Sequence, residues 1–151
     1  MSVDETVTQD LIKTLENGRE GFQRAAEKLA DSNEPALAAE FTTFSEQRGR
    51  FASELTAMAA SYGDPVDKRS TLPGALHRGW MAVKDMLSGS DASGVLDAAA
   101  QGEDHAVEEY ETALKADISD GLRTVVNRQF ADVKAARDRV QAARNHANAT
   151  K

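Results

Sequence analysis

Pro35-Ala-Leu37-Ala-Ala-Glu-Phe41-Thr-Thr-Phe44-Ser-Glu-Gln-Arg48-Gly-Arg-Phe51-Ala-Ser-Glu-Leu55-Thr-Ala-Met58 decides the fold. Its large apolar residues recur at alternating steps of four and three, which is the seam of a helix packed in a bundle and not the two-residue alternation of a strand. Taken through Tyr62, the seam is Leu37, Phe41, Phe44, Arg48, Phe51, Leu55, Met58 and Tyr62, with Arg48 its one charged member. The pattern predicts a helix over about 35–62. Pro35 suits a first helical turn, and Gly63-Asp64-Pro65 ends the run because proline cannot continue it.

Working outward, Leu11, Leu15, Gly18, Phe22, Ala25 and Leu29 repeat the spacing and predict a first helix over about 6–30, starting at Thr6 or Thr8. Asp31-Ser32-Asn33 supplies stop and cap residues, and so short a turn makes these two helices antiparallel neighbours. Beyond Pro65 the connection is too long for a hairpin. It contains Leu76, Trp80, Val83 and Leu87 on one face, which predicts a short crossover helix over about 74–88. Its apolar face is expected to lie on its own bundle in preference to a neighbour's, with His77 and Trp80 at its surface. A third main helix over about 93–116 carries Leu96, Ala99, Glu103, Ala106, Tyr110 and Ala113. A last one over about 119–146, capped by Ser119 or Asp117, carries Leu122, Val126, Gln129, Val133, Ala136, Val140 and Ala143. The tail after it is expected to fray. Residues 1–151 thus read as one all-α domain, an antiparallel four-helix bundle with a long crossover between its second and third main helices.

Composition narrows the function. A net charge of −7 opposes binding to polyanions, so nucleic acid is not an expected partner. The absence of cysteine removes disulfides, thiol nucleophiles and thiolate metal sites. No apolar run approaches the ~20 residues that span a bilayer, and the first residues lack the basic and apolar regions of a secretory signal, which points to the cytoplasm. The partner class left is protein, either a second copy of the chain or another protein.

Glu16-Asn-Gly-Arg-Glu-Gly-Phe-Gln-Arg-Ala-Ala-Glu27, Ala75-Leu-His-Arg-Gly-Trp-Met81, and Gly102-Glu103-Asp104 followed by Tyr110 resemble a bacterial family of ferritin-like bundles without an established activity. The resemblance implies a ferritin-like crossover topology and, from the family alone, a stress-related role. Ferritin-like enzymes hold two metal ions at mid-bundle, with inward carboxylates from two helices and a Glu-x-x-His pair from each of the others. Here the second helix has no histidine, the last has none before His146, and the inward position of the first is Gly18.

Arg48, Glu103 and Gln129 interrupt three seams near the middle of their helices. The expectation is a buried layer in which the Arg48 guanidinium stands beside Glu103, Gln129 completes the hydrogen bonds and Gly18 leaves room. On this reading the chain is non-enzymatic and holds no metal or other cofactor. The alternative is a divergent iron or manganese oxidoreductase, or an iron-binding protein, using Glu103 with Glu16, Glu20 or Glu46. His105 and Glu109 are expected to form an exposed pair one turn apart, and the acidic clusters of the third helix a solvated face.

Overall fold

The computed structural model describes residues 2–60 and 91–149, and within them the chain is all-helical, with four helices and no strand. α1 spans Val3–Asp31, α2 Pro35–Ala60, α3 Ala92–Lys115 and α4 Asp120–Ala149. The expected crossover helix over 74–88, with His77 and Trp80, and the seam position Tyr62 lie outside the described residues.

The helix ends follow from local chemistry. α1 starts earlier than its seam suggests because Ser2 accepts a hydrogen bond from the Glu5 backbone N–H at 3.1 Å, the Ser-x-x-Glu arrangement of a capping box. Asn33 takes the left-handed conformation at φ 63°, and the Glu34 N–H donates back to the Leu29 carbonyl at 2.9 Å, which closes α1 and sets Pro35 at the head of α2. Asp91 caps α3 by accepting from the Gly94 N–H at 2.9 Å, and Ser119 caps α4 by accepting from the Leu122 N–H. α4 runs past its expected end at 146. α4 continues to Ala149, where Asn148 is tied to Ser93 Oγ at 2.7 Å and so to the start of α3.

Every seam residue named above for α1, α3 and α4 is buried. In α2 Phe41, Arg48, Phe51 and Leu55 are buried, while Leu37, Phe44 and Met58 pack at the core's edge. Residues paired between α1 and α2 rise in one helix as they fall in the other: Gly18 lies against Arg48, the Arg19 carbonyl accepts from Ser45 Oγ, and the Phe22 ring meets Phe41 edge-on at 5.3 Å. The same holds between α3 and α4, where Ser93 pairs with Asn148, Asp104 with Gln141 and Tyr110 with Gln129. Two apolar clusters result. One surrounds Phe22, Phe41 and Leu96; the other surrounds Leu15, Leu55, Tyr110 and Leu122.

Candidate functional site

Arg48 and Glu103 are 1% and 0% exposed, and the guanidinium grips the carboxylate with two parallel bonds, Nη1 to Oε1 at 2.8 Å and Nη2 to Oε2 at 2.6 Å. The bidentate fork is the strongest geometry available to such a pair, because two charge-assisted bonds act together where water cannot compete. Gly18 lies against the guanidinium, and a Cβ there would stand 3.4 Å from Arg48 Nη1, an ordinary contact, so the pair does not require glycine at this position. The Phe22 ring lies under the guanidinium at 5.1 Å, so the cation also meets the negative face of an aromatic ring. Among the described residues, the buried Arg48 Nε has no hydrogen-bond acceptor.

Gln129 does not complete this pair. It is fully buried, but its Oε1 accepts from the Tyr110 hydroxyl at 2.8 Å, and its Nε2 donates to Glu54 Oε1 at 2.8 Å and to the Phe51 carbonyl at 3.4 Å. The reason is register. Tyr110 follows Glu103 by seven residues, which is about 10 Å of helix. Gln129 also stands in the first half of α4, not at its middle, as it already does within the expected span of 119–146. The core therefore holds two polar levels. The second is a relay from Tyr110 on α3 through Gln129 on α4 to Glu54 on α2, whose carboxylate also pairs with Arg128 at the surface. Burial pushes the Tyr110 phenol well above its ordinary value, so the hydroxyl remains a donor. Glu54 and Tyr110 as Gln129's partners were not legible beforehand, although Tyr110 already stood in the seam two turns from Glu103.

The remaining carboxylates do not gather around Glu103. Glu16 pairs with Arg19 and Glu20 with Arg24 along the outer face of α1, and Glu46 lines a shallow surface groove with Arg19 and Arg50. Among the described residues no three of His, Cys, Asp and Glu converge closely enough to hold a metal ion. Both Glu103 oxygens are occupied by Arg48, so these donors do not fit a di-metal centre.

His105 and Glu109 do interact, as their spacing suggested, but both are half-buried and not exposed. His105 Nδ1 is 3.8 Å from Glu108, and Glu109 also lies under the field of Asp10 on α1. Burial raises both the Asp10 and Glu109 carboxyls. Lys13 opposes the shift at Asp10; at Glu109, Asp10 and Glu108 add to it and His105 opposes it. The folded chain thus holds these protons more tightly than the unfolded chain. This contribution to stability falls as pH rises from the ordinary values of 3.8 and 4.5 through the raised folded ones, and is recovered on acidification. Melting temperatures of wild type and Glu109→Gln, measured side by side from acid to neutral pH, should show the variant gaining on wild type as pH rises. A constant difference would contradict the arrangement.

Fold and site together define a helical-bundle protein whose centre is filled by an arginine–carboxylate pair. Residues 5–116 match the family model described as a domain of unknown function, DUF2383, and the chain belongs to that family. The match takes in α1 to α3, with both members of the buried pair, and stops before α4. No curated protein and no solved structure matches the chain. No helix among the described residues is long and apolar enough to cross a membrane.

Proposed function

We propose that the protein is a non-catalytic bundle of ferritin-like, antiparallel topology, in which the Arg48 guanidinium takes the mid-core cation position that related folds give to metal. The bidentate Arg48–Glu103 pair carries this reading, since it supplies a fixed positive charge against the one fully buried carboxylate among the described residues. The opposed run of contacts between α1 and α2, and between α3 and α4, supports the antiparallel topology. The long segment from 61 to 90 supports the crossover, being the right length to join the α1–α2 hairpin to the α3–α4 hairpin. With a centre closed by its own charges, the protein acts through its surface. Its partner is a second copy of the chain or another protein, in a cytoplasmic setting. The stress-related role rests on the family resemblance alone.

Elemental analysis of protein purified without chelators, followed by iron and manganese titration, tests the reading. The expected result is less than stoichiometric metal, the same in wild type and Glu103→Ala. Stoichiometric iron or manganese that disappears in Glu103→Ala would overturn it in favour of a divergent di-metal oxidoreductase or iron-binding protein.

A further inference from the structure

The outward side of α2 carries a pair of opposite charges that the chain itself leaves unmatched. Glu46 and Arg50 stand one turn apart and exposed, and neither enters an ion pair among the described residues. They are the centre of a second periodic stripe, Ala39, Thr43, Glu46, Arg50, Ser53 and Ala57, which follows the same steps of four and three as the inward seam. All six are exposed. At that spacing they share one face of the helix over about 27 Å.

The order of the stripe is palindromic in chemistry. From either end it runs alanine, hydroxyl residue, charge, and the two central charges are of opposite sign. A second α2 laid antiparallel on the first, about a two-fold axis level with position 48, therefore sets Ala39 against Ala57, Thr43 against Ser53 and Glu46 against Arg50. Each match occurs twice, because a two-fold contact is isologous. The parallel arrangement would set Glu46 on Glu46 and Arg50 on Arg50, and like charges in register repel. The small side chains on either side of the charges let two helices approach closely. Thr43 Oγ1 already donates to the Ala39 carbonyl at 3.2 Å, so covering it strands no donor, and its oxygen can accept from the Ser53 hydroxyl of a second copy. A contact between two helices of this length lies at the low end of interface sizes, which makes the association reversible and dependent on concentration.

We infer that this face of α2 is the surface through which the chain associates with itself, in an antiparallel contact centred on two Glu46–Arg50 ion pairs. A second copy is the occupant because it brings the same stripe in reverse order. The inference rests on the proposal that the protein acts through its surface on a protein partner, and the two fail differently. A chain that stays monomeric refutes the contact and leaves a different protein as partner, whereas metal held by Glu103 refutes the proposal through the core.

Sedimentation equilibrium over a range of protein concentrations tests the contact, at low salt and at about 1 M salt, where the screening length falls to about 3 Å. Wild type should dimerise as concentration rises, and less so at high salt. Glu46→Arg and Arg50→Glu each bring like charges together across the axis and should weaken dimerisation by about tenfold or more. Both positions are exposed, so circular dichroism should show the helices intact. Mixed in equal amounts, the two variants should associate with each other, since each supplies the charges that the other lacks. Both reversals placed in one chain should dimerise as wild type does. A wild type that is monomeric at every concentration would overturn the inference, as would single reversals that leave dimerisation unchanged. Failure of the mixture and of the doubly reversed chain to recover it would also do so.

Discussion

Glu103→Ala is expected to destabilise the fold by about 3–5 kcal/mol, the usual cost of removing one member of a buried ion pair and leaving the other uncompensated. Little of that cost measures attraction. Arg48 is 1% exposed, so without Glu103 its guanidinium would stay buried over the Phe22 ring with both Nη bonds lost and, among the described residues, no partner at Nε. A guanidinium cannot escape by losing its proton, because its pKa lies far above neutrality. The chain must then open to admit water or unfold. Urea unfolding followed by circular dichroism measures the loss directly. A change under about 1 kcal/mol, typical of an exposed pair, would mean that water reaches the site.

Phe22→Ala should be as costly, about 3–5 kcal/mol in the same experiment, from lost burial and the cavity left behind. Phe22 is 0% exposed, meets Phe41 edge-on and Phe44 at a tilt, and also forms the floor beneath Arg48. Its removal therefore acts on the apolar cluster and the polar level together. Phe22→Leu, which keeps most of the volume but not the ring, separates the two contributions. It should recover most of the stability, and the remaining deficit is the aromatic share, about 1 kcal/mol.

The seams were legible because steps of four and three leave little choice of inward face, and Arg48 and Glu103 were visible as polar residues inside those seams. Their distance and bidentate geometry were not, since side-chain reach between helices depends on how the helices are staggered. The stagger also displaced Gln129 from the pair. Seam spacing assigns a face but no height: Gln129 already lay before the midpoint of the expected 119–146 helix, and the extension of α4 to Ala149, held by the Ser93–Asn148 contact, sets it only slightly further from the middle. The early start of α1 had a readable signal in Ser2 and Glu5, a capping box placed ahead of the first apolar seam residue. Glu109 differed for another reason. A position one turn from His105 can be exposed or can face the adjacent helix, and here Glu109 is half-buried near Asp10 of α1, a residue remote in sequence.

The measurement closest to the central claim is a double-mutant cycle at the buried pair, with Arg48→Met and Glu103→Gln made singly and together and stability read from urea unfolding. If the guanidinium occupies the mid-core cation position against Glu103, each single change should be strongly destabilising. The double variant should lose far less than their sum, with a coupling of about 2–3 kcal/mol. Effects that add to within about 0.5 kcal/mol would show two independent residues and contradict the account.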